Sequence, residues 1–177
     1  MTETEREVLA LEPIADEPEV GRWLSAMEDC RRDTLRELEG LPASALDRWV
    51  GAEQNSIGSL LYHVALVEAD WLLSDILGPE GGVDWPVEIL PAEDRDAEGL
   101  LTRFQGDSLE QHLERLRTVR ALVMEHLQPM SLDEFHRPRS RERYDVTPAW
   151  VLHHLLQHEA EHRSEIVRLL QAASAPA

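Results

Sequence analysis

The sequence predicts an all-α four-helix bundle with long crossover loops, and three observations lead there. Four stretches carry apolar residues at three- and four-residue spacing, the pattern of helices that bury one face. No edge strand is obvious in the chain. The helical stretches are separated by connections rich in Pro, Gly and charged residues, two of them long enough for crossovers.

In chain order, residues 1–17 are acidic, include Pro13, and read as a loosely held arm. Pro18 opens the first helix, whose stripe is Val20, Trp23, Leu24, Met27, Cys30, Leu35 and Leu38, with Gly40 as its stop. A connection with one short turn near Ser44 to Arg48 follows and includes Pro42 and Gly51. Asn55 or Ser56 caps the second helix, which runs through Ile57, Leu60, Leu61, Val64, Val67, Trp71, Leu72 and Ile76 until Gly78 and Pro79 end it. Residues 78–106 have no lasting period, and a loop of this length is commonly functional; Trp85, Ile89 and Leu90 give it a means of packing down. Ser108 begins the third helix, through Leu109, Leu113, Leu116, Val119, Val123 and Leu127, which closes near Pro129. The Arg-rich residues 130–146 contain Pro138, and the part from Phe135 to Tyr144 is expected to run extended across the bundle. Thr147 caps and Pro148 starts the fourth helix. The organisation is thus an arm over residues 1–17, one bundle domain over 18–172 and a tail over 173–177.

The chain has 177 residues, enough for one continuous core, and 35 acidic against 17 basic residues, all of the latter Arg. A formal charge of −18 argues against nucleic acid or an anionic membrane as partner, because both require a positive face. Solubility is sufficient reason for the acidity. The lack of Lys fits a GC-rich genome. Cys30 is the only cysteine, which excludes an internal disulfide and a multi-thiolate metal site; its place on the apolar stripe makes it a small core residue. The acidic start lacks the form of a signal peptide and no apolar run has membrane length, so a cytoplasmic location is expected.

Half of the eight histidines fall in residues 147–170. His158 and His162 are one turn apart on the same side of the helix as Val151, Leu155, Ile166 and Leu169, so both imidazoles can reach one cation. His63 lies beside the apolar stripe of the second helix. In a bundle it can face the pair, giving three nitrogen ligands with coordination positions left open. The string His158-Glu159-Ala160-Glu161-His162 also matches the zinc-protease pattern H-E-x-x-H. That reading fails on context: no further His follows, Glu165 is too near to act as the separate third ligand, and no edge strand is evident to hold a peptide. Glu159 then becomes a packing or ligand-supporting residue. His154 reads as a histidine at the cavity end or a fourth ligand, Asp70 as a bundle-end residue or an orienter of a ligand. Arg137, Arg139, Arg141 and Arg143 read as a solvated arm or an anion-binding group. His153 points to solvent, and His112, His126 and His136 receive no role.

The runs Asn55-Ser56-Ile57-Gly58-Ser59-Leu60-Leu61-Tyr62-His63-Val64, with Trp71 following, and His154-Leu155-Leu156-Gln157-His158-Glu159-Ala160-Glu161-His162-Arg163 resemble the two signatures of the DinB superfamily, including its YfiT-type hydrolases and thiol-dependent S-transferases. The resemblance covers nearly the whole chain. It implies an up-down-down-up four-helix bundle and a divalent metal, Zn or Ni, held by His63, His158 and His162. It further implies a small-molecule thiol or electrophile as partner, with mycothiol the thiol suited to a GC-rich source, and a homodimer. Transfer to a thiol and hydrolysis are both compatible with it, as is a metal-binding stress or interaction module without turnover. The catalytic base is not identified. Ser164 and Glu165 depart from the Gly-Gln that often follows the last ligand in the family, which leaves ligation intact but alters its surroundings.

Overall fold

The computed structural model describes residue 6, residues 8–49 and residues 55–174, with side chains through residue 172; Gly51 and the two chain ends lie outside the described residues. Four long helices make the body of the fold. Helix α1 (Pro18–Glu37) packs on α6 (Pro148–Ser174), while α3 (Ile57–Asp70) packs on both α4 (Leu109–Leu127) and α6. Among the described residues the only strands are β1 (Arg139–Ser140) and β2 (Asp145–Val146), a two-residue antiparallel ribbon. The fold is therefore all-α, and no helix among these residues is long and apolar enough to cross a membrane.

Local chemistry sets most boundaries where the sequence placed them. Pro18 occupies the first turn of α1, where a missing N–H costs nothing, and Gly40 adopts φ 73° just beyond its end. Ser56 Oγ accepts from Ser59 N at 3.1 Å to cap α3, and Ser108 and Gln111 form a reciprocal capping box on α4. Thr147 Oγ1 accepts from Trp150 N at 3.2 Å at the start of α6. The short turn expected near Ser44 is α2 (Ala43–Leu46), with Leu46 buried.

Three expectations are corrected. The second predicted helix ends at Gly78 as expected, but it is α-helical only to Asp70; Trp71–Leu77 continues it in π-helical form, closed by a Gly78 N to Leu73 O bond of 2.9 Å. The segment Phe135 to Tyr144 does not run extended throughout: Phe135 and His136 are helical, and from Arg137 the extended chain doubles back on itself as the β1–β2 ribbon. Ser131 caps the one-turn helix α5 (Leu132–His136), which buries Phe135, and the residue before Pro138 turns extended to enter the ribbon. Leu35, expected on the buried stripe of α1, is exposed; Arg31 and Thr34 are buried near that end of the helix.

The long loop is laid down on the bundle rather than held off it. Leu90 is buried, Trp85 Nε1 donates to Leu90 O at 3.0 Å, and Arg115 Nε donates to Ile89 O at 2.5 Å. Tyr62 is its main anchor: its hydroxyl donates to Ala92 O at 2.7 Å and accepts from Ala92 N at 2.8 Å. Its ring stacks on Phe104 at 4.0 Å. Residues 90–94 are thereby fixed across α3, next to His63.

Candidate metal centre

His63 sits midway along α3, a helix buried on nearly every side, and is itself 5% exposed. Packing of α3 on α6 brings it to the half-buried pair His158 and His162. His158 Nε2 lies 3.0 Å from His63 Nε2 and 3.1 Å from His162 Nε2, and one ligand nitrogen from each ring fits within 4.8 Å of the others. The rings meet edge to face, at 62° to 86°, so nitrogens rather than ring faces converge.

These nitrogens cannot satisfy one another. His63 Nδ1 is hydrogen-bonded to Asp94 Oδ1, so in the neutral ring Nδ1–H is the donor and Nε2 carries a lone pair. A neutral His158 has at most one hydrogen on Nε2 to offer its two close neighbours. At most one of the two short contacts is then a well-directed hydrogen bond, whereas a cation among the three accepts every lone pair. Charging the rings is no remedy. Burial, followed by the neighbouring His162, His63 and His154, pushes the His158 pKa down to about 3. Burial and His63 also lower that of His162. Neutral imidazoles are the form that ligates zinc and similar metals, and the donor set fits a divalent cation.

Asp94 is the candidate site residue that the chain order concealed. It lies 31 positions from His63, inside the loop, and reaches the ring only because Tyr62 pins Ala92. Burial raises its pKa, but the hydrogen bond and charge of His63, with Arg95 and His158, outweigh that and hold it below the usual value. A carboxylate that accepts from the far nitrogen of a ligating imidazole fixes both tautomer and ring orientation. Asp70, the orienter considered from spacing, instead accepts from Ser74 Oγ at 2.8 Å and is exposed. Glu165 Oε2 lies 3.5 Å from His162 Nδ1, an atom buried without a hydrogen bond.

The remaining candidates separate cleanly. His154 stands outside the triad, stacked on Trp150 at 5.1 Å, with its ring 6.0 Å from that of His158. His153 is exposed. Glu159 is buried and both its oxygens are taken: Oε1 by Arg31 Nε at 2.7 Å, Oε2 by Arg31 Nη2 at 3.1 Å and Arg120 Nη2 at 3.3 Å. A carboxylate so held is no general base, and the protease reading loses its essential residue. Arg139 donates to Ile76 O, and Arg141 to Asp75 O, at 2.7 and 2.5 Å, and these two bind the ribbon to the bundle; Arg137 pairs locally with Glu134 at 2.5 Å. Arg143 is exposed. Cys30 is buried, its thiol pKa raised by burial and then by Glu159, as a core residue should be. His136 pairs with Glu19 at 2.9 Å, and His112 is a fully buried neighbour of Arg115.

The family model of the DinB superfamily matches residues 26–166, from within α1 to near the end of α6. The chain belongs to the DinB superfamily. All three histidines fall inside the matched span, as does Asp94. No curated protein matches the chain.

Proposed function

We propose that this DinB-superfamily protein holds a divalent metal, Zn or Ni, through His63, His158 and His162 and acts as a thiol-dependent S-transferase or a hydrolase. The observation that carries the metal half is the trio of Nε2 atoms that lack enough hydrogens to satisfy one another. A metal bound there supplies a Lewis acid that lowers the pKa of a thiol or of water. The chain's own parts have distinct tasks. Asp94 orients His63 and keeps its Nε2 free of a proton, and the buried faces of α3 and α6 keep His158 and His162 neutral. Beside Asp94 lies a cavity of about 440 Å³, lined in part by Leu66, Asp70, Trp85, Leu90 and Pro91, of a size suited to a small thiol or electrophile. Mycothiol is the proposed thiol and a homodimer the proposed assembly, both from the family resemblance.

The test is a panel of low-molecular-weight thiols and electrophiles incubated with zinc- or nickel-loaded protein. Thiol conjugation or hydrolysis that disappears in His63→Ala is expected. Stoichiometric metal with no turnover across the panel would leave the metal site standing and favour a non-catalytic binding module.

A further inference from the structure

At the other side of His154 from the triad, α6, the ribbon and the π-helical turn line a second, open cavity of about 460 Å³, formed by Trp71, Tyr144, Asp145, Val146, Thr147 and Trp150. Three of these six residues are large aromatics. Trp150 is 48% and Tyr144 45% exposed, an unfavourable placement for two such rings unless something covers them. The rings do not cover each other face to face: Trp71 meets Trp150 at 5.3 Å and 50°, and Tyr144 at 6.2 Å and 33°. His154 stacks on Trp150 at 5.1 Å and 10°, and Trp150 still remains 48% exposed.

The charge of this cavity is one-sided. Its only ionised lining residue is Asp145. Tyr144 donates its hydroxyl to Asp75 Oδ1 at 2.9 Å, which holds the ring in place. Elsewhere the protein fills such sites itself, with Arg103 over Trp49 and Arg115 over Tyr62 and Phe104. Of the arginines nearest this cavity in sequence, Arg139 and Arg141 are spent on backbone carbonyls of Trp71–Leu77, and Arg143 is exposed and not among the lining residues. A group of electron-rich faces with a carboxylate at the rim and no cation among its lining residues matches an organic ammonium: the ring quadrupoles attract the charge, and methyl or methylene groups fill the apolar volume.

We propose that the Trp71–Tyr144–Trp150 cavity binds a small alkylammonium compound, with Asp145 as the counter-charge. The reading is independent of the metal centre, since none of its lining residues is a candidate ligand.

The test is calorimetric titration of the full chain with choline and with its neutral isostere 3,3-dimethylbutan-1-ol, in chelator and again with added zinc. Saturable choline binding is expected in both arms, weaker by roughly tenfold or more for the isostere. Trp150→Leu should lower choline affinity by about tenfold, and Asp145→Asn by about threefold without affecting the isostere. Both positions are exposed, and circular dichroism confirms that each variant is folded; should Trp150→Leu fail to fold, Asp145→Asn decides. Equal affinity for choline and isostere overturns the proposal, as does the absence of saturable binding, or wild-type affinity in Asp145→Asn. Choline binding confined to the zinc arm would also contradict it, while loss of metal binding with choline binding intact would sink only the metal reading.

Discussion

Two buried polar clusters stand within one or two turns of each other on the same helices. His63 and Glu68 share α3, and His158 and Glu159 are neighbours on α6. Around the two glutamates, every charge is answered. Arg31 from α1 reaches Glu68 at 2.7 Å and Glu159 at 2.7 Å, Arg120 from α4 reaches Glu68 at 2.6 Å, and Arg31 Nη1 finds Leu116 O at 3.2 Å. Burial opposes the charge of Glu68, but Arg120 and Arg31 outweigh it and hold its carboxyl below the usual range; burial likewise opposes Arg120, and Glu68 with Glu159 and Glu28 raises it. The four buried charges, Arg31, Arg120, Glu68 and Glu159, sum to zero and tie all four long helices, with the part-exposed Glu28 at their edge 2.6 Å from Arg120. Around the histidines the opposite holds: few hydrogens, facing lone pairs and, at His158 and His162, lowered basicity. A closed cluster fixes the bundle, and an unclosed one leaves a place for something else.

Breaking each cluster should therefore have different consequences. Glu159→Ala leaves part of two buried guanidinium charges unanswered, and urea titration should register a loss of about 3–5 kcal/mol. His158→Ala in metal-free protein should change stability by about 1 kcal/mol or less, because it removes a nitrogen that had one close neighbour too many. If the two variants lose the same stability, the distinction between the clusters fails.

Acid provides the next largest effect, at a third buried polar residue. Burial, then Arg115, lowers the His112 pKa to about 4, and its Nε2 has no hydrogen-bond partner. The unfolded chain takes up this proton near pH 6.5 and the folded chain only near 4, so the unfolded state binds more protons in between. Its contribution is intact above about pH 6.5 and falls as pH drops to about 4, by on the order of 2–3 kcal/mol. Urea midpoints at pH 7 and 4.5 should show that slope in wild type and a flatter one in His112→Gln.

Smaller effects separate the carboxylates near the triad. Asp94→Asn should weaken metal affinity by about 10–100-fold while leaving metal-free stability near wild type, read by competition with a chromophoric chelator. Asp70→Asn, at the residue suggested by helical spacing alone, should leave affinity unchanged. A reversal of those two results would move the orienting role to α3.

How much was legible follows from where each signal is carried. Helix starts were written locally, in Pro18, Ser56, Ser108 and Thr147, and the chain shows them as expected. His158 and His162 were legible because i, i+4 spacing forces proximity, and His63 because its motif accompanied theirs. Asp94 was not, since its position depends on a loop folded over Tyr62, for which no periodicity exists. Arg31 was hidden for a related reason: on a helical wheel a buried Arg looks like a break in the stripe, and only Glu68 and Glu159 on other helices explain it. The π-helical turn at Trp71 and the helical turn at Phe135 were concealed by patterns equally compatible with α-helix and extended chain. Glu159 is the instructive case: the H-E-x-x-H string placed it between two ligands, and tertiary pairing gave it to the structural cluster.

The most direct test is equilibrium dialysis of metal-stripped wild type and His158→Ala against zinc, followed by metal analysis of the retained protein. The account predicts one equivalent bound by wild type and none by the variant, with both still folded. Wild-type protein that retains no zinc, and none when nickel replaces it, would contradict the reading of His63, His158 and His162 as a metal centre.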